Sequence, residues 1–326
     1  MSAAWRIVMR RPGGVEVLER EAFDPGDPGP GEVRVKISAS GLNFIDTYHR
    51  SGLYPLALPT GLGTECAGVL EAVGADVTDF VPGQRVAVLM NRPGSYATHA
   101  VVSADQLFRI PDAISDEIAA AVMLKGLTAW MLLEKCRRLQ AGQTVLIHAA
   151  AGGVGSLLVP WAKALGGLVI AHAGSAEKAE RARAAGAGHA FSCDFNALAS
   201  KAREVTDGRG VDLVLDGVGA ASWSASLAAI APRGLIVSYG NASGPVPPVA
   251  PLELARAGSA FLTRPTVYDY IRTAEERAEG SARLFDLIVA GTLPIAIGQR
   301  FALDDVATAH SALEARKTTG ATILIP

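Results

Sequence analysis

The residues Ala150-Ala151-Gly152-Gly153-Val154-Gly155 follow the apolar run Thr144–Ala149 and open a helical pattern at Ser156-Leu157-Leu158. That is the setting of a dinucleotide fingerprint, with Ala in place of its first Gly. Gly152 lets the backbone approach a pyrophosphate, and Gly155 lets the helix pack on the strand. The amides of Gly153 and Val154 and the helix dipole would face that anion. A site for an unphosphorylated ribose carries Asp or Glu about 20 residues further on. Here the second strand ends in His172-Ala173-Gly174-Ser175, followed by Ala176-Glu177-Lys178. Ser175 can donate a hydrogen bond, and Lys178 offers a cation to a 2′-phosphate. These residues favour NADP(H) over NAD(H). The plain alternative is a tight strand–helix turn without ligand.

A second group crowds one stretch: Asn43, Asp46, Tyr48, His49 and Tyr54. Loops on a rigid scaffold tend to carry function. A short helix capped by Asp46, with polar residues facing water, accounts for the same spacing. Lys125 is either an ordinary helix lysine or a site residue. His148 and His172 lie in or at the end of apolar strands and read as structural histidines.

Two kinds of element must position these groups. Up to about residue 125, short strands alternate with Gly/Pro turns: Trp5–Met9, Glu16–Arg20, Glu32–Ser38, Cys66–Val73 and Arg85–Leu89. This pattern predicts a mostly antiparallel, barrel-like domain. Ser115 reads as the cap of a helix, or helix pair, running to about Leu139. Strands and helices then alternate: strands at Thr144–Ala149, Leu168–Ala173, Ala190–Ser192, Val211–Asp216 and Gly234–Tyr239, with helices between. That alternation predicts a parallel sheet with ligand at its C-terminal strand ends, where Gly217 and Tyr239-Gly240-Asn241 also sit. After residue 263 come a helix (Arg272–Ala290), a strand (Gln299–Leu303), a helix capped by Asp304 or Asp305, and a closing strand (Gly320–Pro326). The expected fold is α/β, with a Rossmann domain over residues 126–262 and a discontinuous β domain over 1–125 and 263–326.

Composition narrows the function classes. The chain has 326 residues, 49% of them hydrophobic, and a formal net charge of -2. Two domains are the better prior. No basic stripe supports nucleic-acid binding. No apolar run reads as a membrane span, and Met1–Arg6 shows no signal-peptide pattern. Cys66, Cys136 and Cys193 form no motif pair, so a cytoplasmic setting is expected.

The motifs Asn43-Phe44-Ile45-Asp46-Thr47-Tyr48, Gly52-Leu53-Tyr54-Pro55, Gly61–Gly68, Lys125–Ala129, Ala149–Gly155, Asp216-Gly217-Val218-Gly219, Tyr239–Gly244 and Thr263-Arg264-Pro265 run in order along the chain. Together they resemble the zinc-free, zeta-crystallin-like NADPH:quinone oxidoreductases of the medium-chain dehydrogenase/reductase superfamily. The resemblance implies a GroES-like catalytic domain, NADP(H) as cofactor and a homodimer joined near the apolar Ala257–Leu262 edge. It implies cofactor contacts from Gly174, Ser175 and Lys178, and from Arg264, Pro265 and Thr266. It also places Arg316 near the 2′-phosphate, where Cys193 stands in place of a frequent Tyr. Where zinc-dependent relatives have Gly-His-Glu, this chain has Gly63-Thr64-Glu65, and no Cys lies between Cys66 and Cys136. Three or four zinc ligands are not assembled, so no metal is expected.

The implied activity is NADPH-dependent, metal-free hydride or electron transfer to a quinone. Asn43, Tyr48, Lys125 and Thr128 are the polar candidates, and Tyr54 walls the acceptor pocket. Asn43, Asp46, Tyr48 and Thr128 are also expected to touch the cofactor. The alternative is a double-bond reductase of alkenals, enones or haloacrylates. A non-enzymatic NADPH- or RNA-binding role is a third reading.

Overall fold

The first strands are extended runs, of which only the third alternates apolar and polar residues. In the computed structural model, which describes residues 4–326, these are β1 (Trp5–Met9), β2 (Glu19–Ala22) and β3 (Glu32–Leu42). Met1–Ala3, the start of the segment read as lacking a signal pattern, lie outside the described residues. Val33, Val35, Ile37 and Ala39 of β3 point inward, as period-two alternation requires. Then follow α1 (Phe44–Ser51), β4 (Thr60–Gly61), β5 (Glu65–Val73), β6 (Arg85–Leu89), β7 (His99–Ser103), β8 (Leu107–Arg109) and α2 (Asp116–Trp130). Glu16 does not start a strand. Its carboxylate accepts from the Gly14 amide at 3.0 Å, and Val15–Val17 forms a 3-10 turn instead.

The nucleotide-type elements are β9 (Thr144–Ile147), α3 (Gly155–Ala164), β10 (Leu168–His172), α4 (Ala176–Ala184), β11 (His189–Phe191), α5 (Phe195–Val205), β12 (Val211–Asp216), α6 (Trp223–Ala229), β13 (Ile230–Ser238), α7 (Pro251–Arg256) and β14 (Phe261–Thr263). The chain ends with α8 (Ala274–Val289), β15 (Ile297–Ala302), α9 (Val306–Glu314) and β16 (Ala321–Ile325).

Two units result. The first holds the chain up to Lys125, with Thr273–Val289 and Ile295–Pro326. Its larger sheet runs β15-β16-β3-β5-β6-β8, with β7 also on β3. All its pairs are antiparallel except β15–β16. The path is open: among the described residues no pairing closes it into a barrel. Val33, Val35, Cys66, Leu70, Val86 and Val88 pack one core, and Leu42, Leu62, Tyr96, Leu303 and Val306 belong to another.

The second unit holds Gly126–Arg272 and Ala290–Pro294. The boundary expected at 262 falls inside it, because β14 pairs with β13. Its six strands are parallel, in the order β11-β10-β9-β12-β13-β14. That is the doubly wound order, with its switch point between β9 and β12. The edge strand begins at Phe261 rather than Ala257, which instead ends α7 ahead of Gly258 at φ 87°.

Candidate active site

In the first unit the site starts at the end of β3. Asn43 has extended backbone and caps α1, whose C-terminus closes on Gly52 at φ 82°. The Asn43 amide donates to Asp46 Oδ2 at 2.8 Å, and the Asp46 amide returns a bond to the Asn43 carbonyl at 3.1 Å. Asp46 also accepts from the Tyr96 hydroxyl at 2.9 Å and from Thr64 Oγ1 at 3.3 Å. Its carboxylate is fully buried. The cofactor contact expected of Asp46 is therefore not open to that carboxylate, which caps the helix instead. Burial pushes the Asp46 carboxyl up to about 7, against the bonds from Asn43 and Tyr96 that favour its ionised form.

The side chain of Asn43, 7% exposed, reaches Glu65. Its Nδ2 donates to Glu65 Oε1 at 2.8 Å, and Lys125 Nζ donates to the same oxygen at 2.9 Å. Glu65 Oε2 accepts from the Leu124 amide at 2.6 Å. The carboxylate is thus closed by three donors in the interior. Gly41 makes room for it: a Cβ there would stand 2.2 Å from Glu65 Oε1 and 2.4 Å from the Ala120 carbonyl. Lys125 is buried, while Thr128, three residues on along α2, is half-buried. Tyr48 and Tyr54 meet edge to face with ring centroids 5.3 Å apart. Asn43, Lys125, Tyr48 and Tyr54 all lie in this unit, and Glu65 joins the first two.

In the second unit the fingerprint sits between β9 and α3. The strand stops at Ile147 and the helix starts at Gly155, so residues 148–154 form the turn, with Ala149 at φ 50°. A Cβ on Gly155 would lie 2.3 Å from the Ala149 carbonyl, and one on Gly152 would lie 3.1 Å from it. Gly153 and Val154 are half-buried at the helix start. At the end of β10, Gly174 and Ser175 are exposed, and a Cβ on Gly174 would meet nothing within 4 Å. Ser175 caps α4 and accepts from the Lys178 amide at 3.2 Å, leaving its hydroxyl hydrogen to donate. Glu177 turns along the helix to Arg181 at 2.8 Å. The Cys193 carbonyl is 2.9 Å from His172 Nε2.

The remaining strand ends pack closely. A Cβ on Gly217 would lie 2.8 Å from the Tyr239 ring, and one on Gly240 would lie 2.3 Å from the Gly217 carbonyl. Arg264 reaches the Gly240 carbonyl at 3.2 Å. Asn241 and Pro265 are half-buried beside them in sequence, and Thr266 is exposed. Buried Asp216 organises this end. It accepts from the Val218 and Gly219 amides at 2.9 and 3.1 Å, and from Ser222 and Ser226 hydroxyls. Ser226 Oγ in turn lies 2.9 Å from His148 Nε2. His148 therefore ties the end of β9 to α6 and, through Ser226 and Asp216, to the loop after β12. Burial pushes its imidazole down to about 4. Arg316 is exposed at the end of α9, in the first unit.

The geometry can be set beside known proteins. Residues 29–112 match the family model described as alcohol dehydrogenase GroES-like domain, and residues 153–287 match zinc-binding dehydrogenase. The quinone oxidoreductase of Pseudomonas aeruginosa is 49% identical over 99% of this chain and 100% of that protein. The chain belongs to the quinone oxidoreductase family of the medium-chain dehydrogenase/reductase superfamily. A crystal structure of the Escherichia coli quinone oxidoreductase complexed with NADPH superposes with a TM-score of 0.96, at 43% identity, covering 99% of this chain and 100% of that one. A 2-haloacrylate reductase from a Burkholderia species is 40% identical over 98% of each chain.

Membership in a family described as zinc-binding does not give this quinone oxidoreductase homologue zinc ligands. Glu65 is already bonded to Asn43, Lys125 and the Leu124 amide. Cys66 is fully buried, which pushes its thiol up. Among the described residues no group of three or more His, Cys, Asp or Glu stands together as a metal site. A dinucleotide does fit the residues present: Gly152 and Gly153 leave the turn before α3 without side chains, Gly155 lets the helix start lie against Ala149, and Lys178 stands at the N-terminus of α4.

Sequence reasoning missed Glu65 as the centre of the first cluster, along with Tyr96 and Asp216. Glu65 was visible only as an insufficient zinc ligand. The signal was Gly41, whose missing side chain makes the carboxylate's seat.

Proposed function

We propose that this chain reduces quinones with NADPH as the donor. The observation that carries the reading is end-to-end identity of 43–49% to quinone oxidoreductases, joined to a glycine turn shaped for a dinucleotide. When bound, reduced nicotinamide supplies hydride to the acceptor. The protein's part is position and electrostatics. Gly152, Gly153 and Val154 would cradle the pyrophosphate, and Ser175 and Lys178 would hold the 2′-phosphate. Asn43 gives one amide hydrogen to Glu65 and turns the other to the acceptor oxygen, where negative charge develops. Lys125, paired with Glu65, keeps that carboxylate from opposing the charge. Tyr48, packed edge to face on Tyr54, offers its hydroxyl to the same acceptor oxygen, and Tyr54 walls the acceptor ring. Cys193 stands on the adenosine side without a phenolic contact, and Thr128 adds a hydroxyl from α2.

Two further parts belong to the same reading. The chain pairs as a homodimer along β14, an edge strand whose Phe261 is 61% exposed. It works in the cytoplasm, in keeping with three free cysteines and with the absence, among the described residues, of a helix long and apolar enough to cross a membrane.

A second reading, reduction of an electron-poor double bond, is favoured by the 2-haloacrylate reductase relative. Steady-state rates with NADPH on 1,4-benzoquinone and on 2-chloroacrylate separate the two. Higher kcat/KM on the quinone supports the main reading; turnover of the acrylate alone moves the function to the second.

A further inference from the structure

Asp46 and Arg50 lie one turn apart on α1, both buried, and two other buried side chains join them into a ring. Arg50 Nη1 is 3.1 Å from His310 Nδ1. His310 Nε2 is 3.3 Å from the Tyr96 hydroxyl, which lies 2.9 Å from Asp46 Oδ2. A guanidinium only donates, so His310 Nδ1 must accept. The imidazole proton therefore sits on Nε2 and is given to Tyr96, and Tyr96 gives its own to Asp46. Every bond points the same way, from cation to carboxyl.

The ring has an outer and an inner end. Outside, Arg50 Nη2 meets Glu314 Oε1 at 2.6 Å, with the Glu314 side chain 41% exposed. Inside, Asp46 holds the Asn43 amide, and the Asn43 side chain holds Glu65. Apolar residues of like volume often replace buried charged networks without loss of stability. Stability alone therefore does not account for this ring.

We infer that Tyr96 and His310 are positioning residues: through Asp46 they fix the N-terminus of α1, and with it the Asn43 side chain, in the orientation that meets the acceptor. The inference rests on the role proposed for Asn43. The groups acting on Asp46 come from several elements. The Asn43 amide, Tyr96 and the Lys125 charge favour its ionised form, and the Glu65 charge opposes it. Arg50 and His310 stand behind Tyr96, and burial with the Arg50 charge keeps His310 neutral, pushed down to about 3. Removing the Tyr96 hydroxyl removes a bond to the ionised carboxylate, so Asp46 then titrates at higher pH.

The test compares the full-length wild type with Tyr96→Phe, His310→Leu and His310→Gln. Benzoquinone turnover, NADPH affinity and melting temperature are followed from about pH 5 to about pH 9. In Tyr96→Phe, kcat falls about tenfold while NADPH affinity holds within about twofold. The midpoint of its pH dependence rises by about half a unit or more. His310→Leu moves both in the same direction. His310→Gln restores most of the rate, because a carboxamide can accept from Arg50 and donate to Tyr96. An unmoved pH midpoint in Tyr96→Phe, or a rate loss that only tracks a lower melting temperature, overturns the inference. Should Tyr96→Phe not fold, His310→Leu against His310→Gln decides by the same readouts. A wild type that reduces no quinone at any pH overturns the functional reading instead. The ring is then judged on melting alone: the Asp46 contribution to stability should be lost over a higher pH range in the variants, and identical profiles overturn it.

Discussion

Asn43 Nδ2 and Lys125 Nζ share one acceptor, Glu65 Oε1, at 2.8 and 2.9 Å. Two side chains 82 positions apart in the chain (43 and 125) are thereby held by a third, and the cluster works as one unit. Glu65→Gln should break it. A carboxamide that faces its oxygen to Lys125 and Asn43 turns its NH2 toward the Leu124 amide, and the lysine loses its counter-charge. Urea unfolding should show a loss of about 3 kcal/mol, the usual scale for a buried charge left unpaired.

Asn43 and Tyr48 are assigned to the acceptor. Asn43→Ala and Tyr48→Phe should lower kcat on benzoquinone by about tenfold or more, and shift NADPH affinity by much less. Unchanged kcat in both would remove them from the chemistry.

Gly155 leaves no space for a side chain, with the Ala149 carbonyl 2.3 Å from where its Cβ would stand. Gly155→Ala must push α3 from the fingerprint turn. Fluorescence titration should show NADPH affinity at least about tenfold weaker, because the pyrophosphate amides shift together.

Lys178 sits beside the Ser175 cap at the tip of β10. Lys178→Ala should weaken NADPH by about tenfold or more and leave NADH nearly as in the wild type, since only the former carries the 2′-phosphate. Equal losses for both cofactors would contradict the assignment.

How much of this was legible depended on the range of the interactions. The fingerprint, the β10 tip and the parallel order rest on local spacing and strand–helix alternation, and the structure has them within a residue or two at most boundaries. The Asn43 to Tyr54 stretch left loop and capped helix open, and only the folded chain shows α1 with Asp46 inside. Glu65 with Lys125, and Tyr96 with His310, meet across separations of 60 and 214 residues. No periodicity encodes such pairs. The strand at Glu16 failed for a local reason: its own carboxylate bonds the Gly14 amide and turns the chain.

Buried titratable groups make stability depend on pH in opposed ways. His148 and His310 are held neutral, pushed down to about 4 and about 3. Their contribution is present above the ordinary histidine range and is lost as pH falls through those values. The Asp46 carboxyl, raised to about 7, contributes stability at low pH that is lost as pH rises toward 7. Asp46→Asn removes only the second effect. Its melting temperature should therefore rise more steeply than that of the wild type between about pH 4 and about pH 7. Parallel curves would place the Asp46 titration outside that window.

The central claim is most directly tested by loading the purified protein with NADPH and, separately, NADH, then adding 1,4-benzoquinone and following cofactor fluorescence. Tighter binding of NADPH and its rapid oxidation by the quinone are predicted. Tight NADPH binding with no oxidation by quinone would contradict the assignment of this site to quinone reduction.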